Sequence, residues 1–193
     1  MDQLDQTMSN LNEVDRFILL LLRANKYAPV PGALWLQKEL FLLKELFPSL
    51  ENETDFAPYF MGPHSEIVQQ EADELVESNL IQQKNGKIIL TNLGKEVADK
   101  LSRKAEKYEL EKIEEFKDFL NDLSKDELLA FIYFSFMSEE DLKRESVEFP
   151  TISKNRKKLA VSLYQKEKVS LEKAAQIAGI PIDEFVDEVK LVA

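Results

Sequence analysis

Residues 74–97 constrain the fold of this chain more than any other passage. They read E-L-V-E-S-N-L-I-Q-Q-K-N-G-K-I-I-L-T-N-L-G-K-E-V. Asn85-Gly86 lies at the centre. That dipeptide suits a two-residue hairpin turn in which both central residues need positive φ. Leu80 to Gln83 and Lys87 to Leu90 flank it as short strands. A helix with Ser65 as N-cap precedes the hairpin. Its apolar residues Ile67, Val68, Ala72, Leu75 and Val76 fall at helical spacing. Thr91-Asn92-Leu93-Gly94 opens the next helix. The order helix, hairpin, helix demands a small two-stranded sheet inside an otherwise helical unit.

The rest of the chain reads as helices. Leu11 to Asn25 carries Leu11, Val14, Ile18, Leu21 and Leu22 on one face. Pro29, Pro31 and Gly32 break it. Ala33 to Phe47 follows, with Leu36, Leu40, Leu43 and Phe47 as its stripe. Phe56 to Met61 is expected to be extended, and Gly62-Pro63 to turn the chain. Residues 92–121 form a long helix with a break near Ser102. Ser124-Lys125-Asp126-Glu127 is a capping box for a helix through Met137 that is apolar almost all round. Val147 to Ile152, interrupted by Pro150, is expected to be extended. Three helices close the chain: Arg156 to Glu167, Ser170 to Ala178 with Gly179 as its left-handed stop, and Ile182 to Lys190.

The ending L-T-x-x-G after a hairpin resembles that of a winged-helix domain, and the resemblance covers residues 11–101. Within that class the chain is similar to a microbial family of uncharacterised proteins related to YwgA, and to Panacea-type antitoxin domains. The residues that carry this are Leu36-Gln37-Lys38-Glu39-Leu40-Phe41-Leu42-Leu43 and Tyr59-Phe60-Met61-Gly62-Pro63-His64-Ser65. Residues 156–180 resemble a family of short prokaryotic antitoxin-like proteins of the form R-x-x-L-A-x-x-L-Y-K-x-G-K-I-S-L-x-x-A-A-x-x-A-G-M. Gln165 and Glu167 depart from that pattern. The Ala174-Ala175 pair permits the close helix packing of a helix-turn-helix.

Charge qualifies what these resemblances imply. The 193 residues hold 25 basic and 36 acidic side chains, net -11. A surface that is basic all over, as in a general nucleic-acid coat protein, is excluded. The chain has no Cys and one His, which excludes thiolate nucleophiles and His-cluster metal sites. Its five Gly make neither of the two glycine-rich nucleotide loops. Asp2 and Asp5 stand where a secretory leader would be basic. The longest apolar run, Phe17 to Leu22, is far shorter than the ~20 residues of a bilayer span.

Lys154, Arg156, Lys157 and Lys158 form the one basic cluster and are candidates for phosphate contact. Against that, cations at a helix start oppose the helix dipole at a cost of ~0.3–1 kcal/mol each. Asp183, Glu184, Asp187 and Glu188 on the last helix repel phosphate. Lys84 and Lys87 flank the hairpin turn and could straddle a backbone. Gln69 and Gln70 could read adenine edges, or simply form a polar outer face. His64 beside Ser65 is better read as a turn with a capping Ser than as a base and nucleophile. The carboxylates of residues 105–150 lack a calcium-loop pattern and read as a solvated face.

The expectation is a mainly α fold with a small β-hairpin wing. A winged helix-turn-helix (1–104) precedes an acidic helical connector (105–150) and a C-terminal helical helix-turn-helix module (151–193). The expected role is a DNA-binding transcriptional regulator or antitoxin-like protein, cytoplasmic and not an enzyme, with no metal or cofactor. The alternative is a protein–protein interaction module that keeps the winged-helix fold without binding nucleic acid. Expected partners are double-stranded DNA, a toxin or other protein, and a second copy, but no membrane. The copy would cover the apolar helix ending at Met137.

Overall fold

The computed structural model describes residues 3–192; Asp2 lies outside them. The chain forms two compact units. One comprises the residues up to Ala57 together with Pro63–Asn121. The other comprises Pro58–Gly62 and the residues from Asp122 onward.

The first unit contains α1 (Gln3–Ser9), α2 (Glu13–Tyr27), α3 (Ala33–Lys44), α4 (Pro48–Asn52) and α5 (Glu66–Glu77). The strands β1 (Ile81–Lys84) and β2 (Lys87–Leu90) follow, then α6 (Asn92–Ser102) and α7 (Lys107–Asn121). α2 is the central helix. Asn12 and Asp15 close a reciprocal capping box at its start. Every residue from Phe17 to Leu22 is buried, because α5, α6, α7 and β2 pack around it. A helix apolar on all sides is stable only when covered in this way.

The hairpin is antiparallel, with Ile81 opposite Leu90 and Lys84 opposite Lys87. Asn85 and Gly86 have φ of 53° and 75°, as the two-residue turn requires. Val30 adds a single bridge to Ile88 on the other side of β2. Thr91 caps α6 by accepting from the Gly94 N–H. A Cβ on Gly94 would lie 1.9 Å from the Leu80 carbonyl oxygen, so the L-T-x-x-G glycine is a point of backbone contact.

The second unit contains α8 (Lys125–Phe136), α9 (Glu139–Glu145), α10 (Phe149–Lys154), α11 (Arg156–Gln165), α12 (Leu171–Ala178) and α13 (Ile182–Val192). Ser124 and Glu127 make the capping box of α8. α10, α11 and α12 pack on α8. They bury Leu128, Leu129, Ala130, Ile132 and Tyr133. Gly179 ends α12 at φ 72°, and Ala174 and Ala175 are buried where α12 meets its neighbours.

The break expected near Ser102 is present: residues 92–121 are two helices, α6 and α7. Other local expectations are corrected. Residues 147–152 are not extended throughout, because Pro150 sits in the first turn of α10, where its missing N–H costs nothing. Residues 56–61 make no strand; Ala57 pairs once with His64, and Phe60 with Gly62. Pro48 opens the short helix α4, which was not among the helices expected from the sequence. Residues 105–121, grouped above with an acidic connector, belong to the first unit as α7, and α8 to α10 belong to the second.

Candidate nucleic-acid interface

In the first unit, the tip of the hairpin carries Lys84 and Lys87 as a cross-strand pair. Both are exposed, and neither makes an ion pair among the described residues. Two like charges directly opposite each other are unfavourable. A shared external anion would relieve that.

Gln69 and Gln70 lie on α5 but face carboxylates of their own helix. Gln69 Nε2 donates to Asp73 Oδ1 at 3.1 Å, and Gln70 Nε2 to Glu74 Oε1 at 2.9 Å. Ser65 is the N-cap of α5. Its hydroxyl accepts from the Val68 N–H and donates to Asp55. His64 Nε2 lies 3.4 Å from Glu66. The Ser65 hydroxyl therefore serves helix geometry.

The second unit divides the basic cluster of α10 and α11 into three kinds of cation. Arg156 is committed inward. Its guanidinium donates to the carbonyls of Ile177 and Gln176 at the end of α12, and lies 3.9 Å from the centre of the Phe134 ring. Cations at a helix C-terminus are favourably placed against the dipole. Lys157 is paired, at 3.1 Å from Glu184 Oε1 and 3.0 Å from Glu188 Oε1. Lys154 and Lys158 are exposed and make no ion pair among the described residues. The sequence pattern could not separate these three roles, because the partners that single out Arg156 and Lys157 lie at least 20 residues away.

Sequence reasoning missed a second set of charged groups, buried in the first unit. The two passages quoted for the N-terminal resemblance meet here. Gln37 on α3 accepts from the Ser65 N–H and donates to the Ser65 carbonyl, both at 3.0 Å. Lys38 donates to the Pro63 carbonyl at 2.6 Å. Burial pushes the Lys38 ammonium down to about 7. Lys117 on α7 is also buried, and donates to the carbonyls of Leu21 at 2.8 Å, Ala24 at 2.9 Å and Leu22 at 3.3 Å. Burial lowers its pKa to about 8, with Glu39 and Glu114 opposing. Glu39 is fully buried, and neither carboxylate oxygen has a hydrogen-bond partner among the described residues. Burial drives its pKa well above the carboxylate range, and Lys117 only partly offsets this.

One signal in the sequence pointed to Lys117. It occupies the apolar stripe of α7 between Ile113 and Leu120, where a solvated lysine would not be placed.

Among the described residues no group of three or more His, Asp or Glu could hold a metal ion. No helix among them is long and apolar enough to cross a membrane. A cleft of about 440 Å³ in the first unit is lined by Arg16, Phe47, Leu101, Lys104 and Glu109. Arg16 there is held between Glu13 and Glu109 at 2.7 and 2.6 Å.

Residues 140–191 match an uncharacterised protein family, UPF0175. The match includes residues 156–180, on which the C-terminal resemblance was drawn, and extends beyond them on both sides. No curated protein and no solved structure matches the chain.

Proposed function

We propose that this chain is a non-enzymatic, DNA-binding regulator or antitoxin-like protein. In this reading the first unit is a winged helix with β1–β2 as its wing, and α12–α13 of the second unit is a helix-turn-helix. The observation that carries it is the distribution of unpaired cations. In a chain with 36 acidic residues against 25 basic, Lys84, Lys87, Lys154 and Lys158 have no carboxylate partner among the described residues, although they lie at exposed positions where phosphate would be met. Arg156 drops out of the contact set, because its guanidinium holds α12. Gln69 and Gln70 could reach bases only by releasing Asp73 and Glu74.

A two-fold dimer belongs to the same reading, since half-site readers commonly pair. Phe136, at the end of α8 and 43% exposed, is an apolar side chain that a second copy would cover.

The test is a mobility-shift titration of the full chain with a mixed-sequence duplex. Retardation at low salt is expected. Changing Lys84, Lys87, Lys154 and Lys158 to Gln should weaken it and flatten the salt slope by ~0.9 per lost contact. No retardation at low salt overturns the proposal. That outcome would favour the second reading, a protein-contact module. The outward carboxylates Glu66, Asp73 and Glu74 of α5 support that alternative.

A further inference from the structure

The acidic face of α13 is the strongest objection to phosphate binding by the second unit, and its geometry gives it a specific use. Glu184 and Glu188 are one helical turn apart. Their Oε1 atoms bracket the same ammonium, that of Lys157, at 3.1 and 3.0 Å. Lys157 belongs to a cavity of about 430 Å³ whose other walls include Lys154, Lys158, Asn155 and Ser162, with Glu188 reaching into it. Three lysines therefore face one recess, and the negative group lining it comes from α13.

We infer that α13 masks the basic recess on α11, with Glu184 and Glu188 standing in for the phosphates of double-stranded DNA that must displace them. The inference rests on the DNA-binding reading and adds a form of regulation to it. A lysine left free at the start of α11 would carry an unfavourable interaction with the helix dipole and would attract any polyanion. With α13 in place, weak non-specific phosphate contact must compete against an intramolecular partner that is always present. A duplex that makes further contacts elsewhere outcompetes that partner.

Fluorescence anisotropy with a short labelled duplex, measured across a salt series, tests this. The proteins are the full chain, the Glu184→Gln/Glu188→Gln variant, and the same variant with Lys157→Gln added. Unmasking should tighten binding at low salt by on the order of tenfold. It should also steepen the salt slope by ~0.9, one additional phosphate contact. Lys157→Gln should restore the original slope, which separates a released lysine from a mere change in net charge. Inorganic phosphate, added as a competitor, should not displace the duplex from the unmasked chain at concentrations that leave ionic strength unchanged. If it does, the recess is a free-anion site and the inference fails. Equal slopes for the wild type and the double variant, with both binding, also overturn the mask and leave the DNA reading intact. No binding by any of the three removes both.

Discussion

Replacing Lys117 by Met removes the ammonium that closes the end of α2 and keeps most of the side-chain volume. Two well-formed hydrogen bonds, to Leu21 and Ala24, and a longer one to Leu22 are lost. A hydrogen bond to a charged group contributes ~1.5–3 kcal/mol, and a buried carbonyl left without a donor costs ~1–3 kcal/mol. The gain from no longer burying an ammonium offsets part of this. Glu39 meanwhile loses its cation while fully buried.

With that offset, the lost hydrogen bonds put the cost at ~3–5 kcal/mol. The strain at this point adds to the need for a clamp. Asn25, Lys26 and Tyr27 run consecutively at φ of 54°, 57° and 61°, a conformation costing ~1–2 kcal/mol per non-glycine residue.

Urea unfolding followed by Trp35 fluorescence measures the effect. Trp35 is the one tryptophan. It reports on the first unit, where its Nε1 donates to the Leu120 carbonyl on α7 at 3.0 Å. With a urea slope of ~1–3 kcal/mol/M, the midpoint should fall by about 1–5 M. The sign of the pH dependence follows from Glu39. Its folded pKa lies above the ordinary 4.5, so the unfolded chain releases this proton first, and stability falls as pH rises above that value. Without Lys117 the folded pKa moves higher still. The Lys117→Met penalty should therefore be smaller near pH 4.5 than at neutrality. A loss under ~1 kcal/mol at neutrality, or a penalty that does not change with pH, would refute the clamp and its coupling to Glu39.

Two further outcomes follow from local geometry. Gly94→Ala forces the Leu80 carbonyl to move, since the added carbon would sit 1.9 Å from it. The first unit should lose ~2 kcal/mol or more, seen as a lower Trp35 midpoint; an unchanged midpoint would disprove the close contact. For Glu127, burial raises the pKa, but donation from Lys166, Ser162 and the Ser124 backbone N–H outweighs it and holds the value at about 2. That depressed pKa contributes stability above 4.5 that is lost as pH falls toward 2. In the Glu127→Gln variant, far-UV circular dichroism melts should show lower stability at neutrality and a flatter profile over that acidic range.

What the sequence disclosed and what it hid divide by the distance between partners. Ser65, Asn85-Gly86, the Ser124–Glu127 box and Gly179 act within three or four residues, so spacing alone announces them. Pro150 misled because proline marks both a broken strand and a helix start. The clamp of Lys117 on Leu21 spans 96 residues. Only its position in an apolar stripe betrayed it, and nothing in the sequence named its acceptors. The same holds for the basic cluster. Four adjacent cations look alike on paper, yet one holds α12, one is gripped by α13 and two face outward.

The second unit is assembled from two stretches of chain, and this sets an order on its synthesis. The carbonyl of Phe60 accepts from the Val147 N–H and the Ser146 hydroxyl, groups that leave the ribosome 86 or more residues later. The sequence of the first unit is complete at Asn121, while the segment Pro58–Gly62 still waits for the helices it will join. For that interval Phe60, stacked on Tyr59 ring on ring at 4.4 Å in the finished protein, lacks the two groups that tie down its carbonyl. A ribosome stalled before residue 146 would thus display this aromatic segment without the chain that holds it, a nascent loop open to chaperones and to early cleavage.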